Sequence, residues 1–146
     1  MPSGRPKAKR LTAAAVAAAP APAPAPALPP SKTVLMVDDD ARLTMIVRDF
    51  LQLHGFTVVA AGTGEAGLEQ LAVLTVDAVV LDVKMPGMGG LAALKQIRAS
   101  YPDLPVVVLT QVDEEQVRDE ALQLGASTYL TKPFHFEQLK AALQRF

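Results

Sequence analysis

The chain has 146 residues, half of them apolar, with 14 basic and 15 acidic side chains and a formal net charge of −1. It has no cysteine and only two histidines, His54 and His135. This excludes disulfides, thiolate metal sites and cysteine nucleophiles, and leaves too few imidazoles for a histidine-based metal cluster.

Composition shifts sharply near residue 31. Eight of the twelve prolines and eleven alanines fall in residues 1–31, with Arg5, Lys7, Lys9 and Arg10 and no acid, so this segment carries +4 while residues 32–146 carry −5. PAPAPAPALPP, residues 20–30, is expected to form an extended polyproline-II spacer of roughly 30 Å at ~3.1 Å per residue. The preceding LTAAAVAAA favours helix but is shorter than the ~12–15 residues an isolated helix needs. Residues 1–31 are therefore expected to be a disordered basic tail and linker. A basic start and an alanine run also suit a secretory signal peptide, but the run is weakly apolar and gives way to repeated prolines; a cytoplasmic chain is the preferred reading. Four scattered cations are expected to be solvated, with no nucleic-acid partner.

From residue 33 the chain alternates. TVLMV (33–37), FTVVA (56–60), DAVVL (77–81), PVVVL (105–109) and STYLT (127–131) read as short strands, each followed by a helix-length segment. After the first strand, Leu43, Ile46, Val47, Phe50 and Leu51 trace one apolar stripe of a helix, and Gly55 ends it. Leu91, Leu94 and Ile97 do the same for the third helix. Leu122 and Leu124 with Gly125 close the fourth, and Leu139 and Leu143 mark the fifth. Continuous apolar strands between amphipathic helices predict one domain over residues 32–146, a parallel sheet covered on both faces with crossovers of one hand. No apolar run reaches the ~18–20 residues of a membrane span.

In such sheets the site lies beyond the carboxyl ends of the strands, and polar residues stand there in register. The first strand ends in Asp38, Asp39 and Asp40, the third in Asp82, the fourth in Thr110, the fifth in Lys132 and Pro133. Crowded carboxylates repel one another and persist most readily around a hard divalent cation with oxygen ligands. Magnesium fits best, because it keeps waters and needs few carboxylates; Asp39, Asp82 and a loop carbonyl suffice. Lys132 supplies a cation that can pair with Asp82 and later with a phosphoryl group, and Thr110 supplies a hydroxyl donor. Together these are parts for phosphoryl transfer onto an aspartate.

VLMVDDD, VVLDVKMPGMGGL, VVVLT and GASTYLTKPF occur in this order, and with them residues 33–146 resemble the receiver domain of two-component response regulators, in its single-domain, chemotaxis-regulator-like form. The resemblance implies a flavodoxin-like, doubly wound five-stranded sheet of order 2-1-3-4-5, an order for which a member of this family is a standard illustration. It implies Asp82 as phosphoacceptor, Asp39 as direct magnesium ligand, Asp38 acting through water, and the Lys84 carbonyl completing the metal ligands. Thr110 becomes the switch hydroxyl and Tyr129 an aromatic that turns inward on phosphorylation. Lys132 precedes a cis bond to Pro133. Two positions depart from the family pattern: Gly89 stands where Asp is common, and Gln111 follows the switch threonine where a small residue is usual.

Plainer roles compete at several positions. Asp40 fits an N-cap of the first helix. His54 near a helix C-terminus is explained by the dipole, and His135 reads as an exposed first-turn residue. Two other functions are weighed: a haloacid-dehalogenase-type phosphatase, since VDDDAR holds an Asp-x-Asp, and a binding-only pseudo-receiver. Arg42 interrupts the phosphatase motif, and the full set Asp39, Asp82, Thr110 and Lys132 speaks against a pseudo-receiver. The chain is thus expected to be a switch rather than an enzyme on other substrates. A sensor histidine kinase or phosphotransfer protein is its expected donor. Since the sequence stops just after the fifth helix, output is expected through a partner on the surface of the fourth helix, fifth strand and fifth helix. Deleting residues 1–30 is expected to leave the calorimetric unfolding midpoint nearly unchanged, because an extended proline-alanine segment buries little surface; a large drop would show that the tail packs on the domain.

Overall fold

A computed structural model describes residues 32–85, 87–111 and 114–146; the tail and linker expectations for residues 1–31 lie outside them. The described residues run β1 (Lys32–Val37), α1 (Ala41–Gln52), β2 (Phe56–Ala61), α2 (Gly64–Val73), β3 (Ala78–Asp82), α3 (Gly89–Ser100), β4 (Val106–Gln111), α4 (Glu115–Gln123), β5 (Thr128–Lys132) and α5 (Phe136–Gln144). All five strands pair in parallel in the order β2-β1-β3-β4-β5, the doubly wound flavodoxin-like arrangement expected.

Two cores follow from the period of two along the strands. Val34, Met36, Val80, Val107 and Leu109 point to one face, where Val47 and Leu51 of α1 and Leu139 and Leu143 of α5 cover them. Leu35, Val37, Val79, Leu81, Val106 and Val108 point to the other, under Leu71 of α2, Leu94 and Ile97 of α3 and Ala121 of α4. The central strand β3 is buried along its whole length, which is why its sequence shows no polar alternation.

The expected stripe of α1 is corrected in part. Its buried face is Thr44, Val47 and Leu51, flanked by partly buried Leu43 and Phe50, while Ile46 is 46% exposed. Five positions span a wider arc than one sheet can cover, and Ile46 falls at its edge. Leu122, expected to help close α4, is likewise exposed.

Local chemistry fixes the helix ends. The Asp40 carboxylate accepts the Leu43 N–H at 3.1 Å, as the N-cap of α1, and the Thr63 hydroxyl accepts the Ala66 N–H at 3.0 Å for α2. His54 lies just past α1 with its Nδ1 2.9 Å from the Phe50 carbonyl. His135 is the exposed N-cap of α5, and its N–H donates to Gln138 Oε1 at 3.2 Å. Gly55 and Gly125, which follow α1 and α4, have φ of 90° and 107°, a region favourable to glycine.

At α3 the backbone makes a close approach that matters for the site. The Gly90 N–H donates to the Val83 carbonyl at 3.0 Å, and a Cβ at Gly90 would lie 2.2 Å from the Asp82 carbonyl oxygen and 2.5 Å from Val83 Cα. Backbone cannot yield as a side-chain tip can, so α3 must move for any larger residue. Gly90→Ala is expected to lower stability by about 1–3 kcal/mol, the usual cost of forced overpacking, as read from urea midpoints; an unchanged midpoint would show that α3 shifts freely.

Candidate functional site

Register brings the polar strand ends together. Val37 is level with Leu81, Asp82 with Leu109, Thr110 with Thr131 and Gln111 with Lys132. The residues at the carboxyl ends of β1, β3, β4 and β5 therefore share one rim, although 94 positions separate Asp38 from Lys132. The β1 chain leaves the sheet only after the Asp38 N–H has bonded the Ala61 carbonyl at 3.0 Å, which holds Asp38 down at 3% exposure. Asp82 is also 3% exposed.

One ammonium joins the two buried acids. Lys132 Nζ donates to Asp38 Oδ2 at 2.9 Å and to Asp82 Oδ2 at 3.1 Å. The sequence suggested a pairing with Asp82; the structure adds Asp38 as an equal partner. The remaining oxygens are also used: Asp38 Oδ1 accepts the Asp40 N–H at 2.9 Å, and Asp82 Oδ1 accepts the Lys84 N–H at 3.1 Å. Asp39, next to them, is exposed. One oxygen from each of Asp38, Asp39 and Asp82 lies within 4.8 Å of the others. Two sunken carboxylates and one open to solvent form a donor set that fits a hard cation which keeps part of its water.

The electrostatics follow from burial. Asp82 is raised from its ordinary 3.8 to about 6, first by loss of water around the carboxylate and then by the Asp38 charge; the Lys132 ammonium and the Lys84 N–H oppose both. Burial alone would lower the Lys132 ammonium, but its bonds to Asp38 and Asp82 outweigh that and hold it above its ordinary value.

Thr110 is 2% exposed, and its hydroxyl has no hydrogen-bond partner among the described residues. An unpaired buried hydroxyl costs about 1–3 kcal/mol, which suits a group kept for another occupant. Tyr129 sits one strand over, part-buried, with the Arg118 guanidinium of α4 5.1 Å from its ring centroid. The Lys132–Pro133 bond is cis. Beside the rim opens a cleft of about 410 Å³, lined by Asp40, Leu43, Gln111, Lys132, Pro133, Phe134 and Phe136.

Sequence reasoning missed two features here. Thr44, on the buried face of α1, has a hydroxyl with no partner among the described residues; nothing in its residue type distinguishes it from an exposed helical threonine. Glu114 was also overlooked. It pairs with Lys84 at 3.5 Å and accepts the Gln111 N–H at 3.3 Å.

With this geometry the comparisons agree. The family model described as response regulator receiver domain matches residues 34–144, and the chain belongs to that family. It is 38% identical over 122 residues to the probable C4-dicarboxylate response regulator DctR of Halalkalibacterium halodurans, covering 82% of this chain and 53% of that one. It is 41% identical over 114 residues to response regulator MprA of Mycobacterium ulcerans, covering 78% and 49%. The chain thus spans about half the length of these curated relatives. Among solved structures, chemotaxis protein CheY4 of Vibrio cholerae superposes with a TM-score of 0.74 at 32% identity, covering 79% of this chain and 98% of that one. Receiver domains are signalling modules, and histidine kinases are the partners of response regulators. Among the described residues no helix is long and apolar enough to cross a membrane.

The raised Asp82 carries a stability consequence. Between pH 3.8 and about 6 the folded chain keeps a proton that the unfolded chain has lost. The group withdraws no stability below this window and withdraws it progressively as the pH rises through it. Asp82→Asn is therefore expected to be more stable than the parent at neutral pH without divalent cations, by up to about 3 kcal/mol. The gain should vanish in acid below the window. Urea unfolding at both pH values checks this, and equal midpoints at neutral pH would show that the buried charge costs nothing.

Proposed function

We propose that the chain is a phosphorylation-switched receiver in which Asp82 takes a phosphoryl group from a partner histidine kinase or phosphotransfer protein. The observation that supports this most is the buried Asp82 carboxylate held by Lys132, with the unpaired Thr110 hydroxyl at the neighbouring strand end. An oxygen of Asp82 attacks phosphorus in line with the donor's P–N bond; that bond breaks, and its electron pair leaves with the donor imidazole. Magnesium, when bound, neutralises charge that builds on the phosphoryl oxygens. Asp39, Asp82 and the Lys84 carbonyl are its proposed ligands, with Asp38 acting through water.

Lys132 starts shared between Asp38 and Asp82. In the proposed sequence it turns its ammonium to a phosphoryl oxygen, and Thr110 donates its hydroxyl to another. Movement of Thr110 toward the site leaves space behind it, into which Tyr129 turns, exchanging its Arg118 contact for a buried position. Pro133, with its fixed backbone, keeps Lys132 aimed at the site throughout. The face of α4, β5 and α5 then changes shape, and the affinity of an output protein with it. The same groups support attack of water on the acyl phosphate and its loss. This is self-directed chemistry in a cytoplasmic signalling chain.

With magnesium and a small acyl phosphate, the protein is expected to gain one phosphoryl group labile to hydroxylamine, read by intact-mass spectrometry. Asp82→Asn or EDTA should abolish the gain; modification that survives either one would refute the assignment. Thr110→Ala and Lys132→Ala should still bind magnesium yet lose the phosphorylation-dependent change in partner affinity, and magnesium binding lost in either variant would refute the ligand set.

A further inference from the structure

Glu114 is a poor residue with which to start a helix, and it does not serve α4 in that way. It occupies the N-cap position with φ −113° and ψ 58° and makes no side-chain capping bond. Its carboxylate turns back over the rim instead. Oε1 accepts the Gln111 N–H at 3.3 Å, the Glu114 N–H bonds the Gln111 carbonyl at 3.3 Å, and Oε2 meets Lys84 Nζ at 3.5 Å. The Glu114 side chain is only 21% exposed, against 64% for Lys84.

These two partners are not arbitrary. Gln111 directly follows Thr110, and its N–H leaves the same strand end as the unpaired hydroxyl. Lys84 is two residues past Asp82, and its own N–H already bonds the Asp82 carboxylate. An anion on Asp82 would sit where donors from both segments are at hand, and Glu114 already holds one from each.

We propose that Glu114 is a built-in stand-in for the phosphoryl group: its carboxylate holds the Gln111 N–H and the Lys84 ammonium until an anion on Asp82 displaces it and takes both. Glu114 is thereby a positioning residue that sets how readily the site accepts an anion. This rests on the reading of Asp82 as acceptor. Its charge also opposes an incoming anion directly, an effect that salt screens. Phosphorylation then frees Glu114 and, with it, the first turn of α4, which links the site to that helix through one side chain.

Binding of beryllofluoride, an anion of phosphoryl shape, in the presence of magnesium tests this by calorimetry on the full chain. Glu114→Gln keeps the shape and removes the charge, so it is expected to bind beryllofluoride about three- to tenfold more tightly at low salt, the net scale of one ordinary hydrogen bond. The gain should shrink at high salt. Lys84→Met should bind it more weakly, because a donor to the anion is lost. Opposite signs for the two variants are the signature, since a merely structural ion pair would move both the same way. Two variants shifted in one direction, or Glu114→Gln equal to the parent, would overturn the proposal while leaving Asp82 as acceptor. A parent protein that binds no beryllofluoride overturns the Asp82 reading and this proposal together.

Discussion

Two carboxylates sunk to 3% exposure within reach of one another are the constraint around which this molecule is arranged. Burial and the neighbouring Asp38 charge both favour the neutral form of Asp82. The Lys132 ammonium lets the two carboxylates persist, and it does so at 2.9 and 3.1 Å with both acids at once. The compensation is incomplete, as the raised Asp82 shows. A site so balanced gains from any added positive charge and from any reaction that removes negative charge from Asp82.

Meeting that constraint requires the whole sheet. The acids come from β1 and β3, the hydroxyl from β4 and the cation from β5, and only parallel pairing puts all four ends on the same side. The close approach of α3 at Gly90 adds a further condition, since the loop after Asp82 is fixed by contact with helix backbone. Function and fold are therefore hard to separate: the sheet cannot be rearranged without dispersing the charges.

Much of this was legible from residue order. Strands buried on both faces announce themselves as continuous Val and Leu runs, and polar residues that end those runs must share a rim when the strands are parallel. Asp38, Asp39, Asp82, Thr110 and Lys132 were found by that rule, and Asp40 by the chemistry of caps. What escaped depends on side-chain reach rather than periodicity. Ile46 lay on the apolar arc of α1 but beyond the edge of what the sheet covers. The second bond of Lys132, to Asp38, needs atomic positions. Lys84 and Glu114 are residue types that usually face solvent, and they lie on loops after different strands, so no spacing rule links them.

Lys132 stands at the carboxyl end of β5. Among the described residues that strand lies at the sheet's edge, paired on one side only, and all five of its residues are merely part-buried, whereas β3 is buried throughout. Edge strands open at lower free energy than central ones. The anions thus sit in the most permanent part of the molecule and their counterion in the most detachable. Whatever grips or loosens that margin also tunes the charge balance at the acids, so the edge acts as a control handle for a centre it reaches through one side chain.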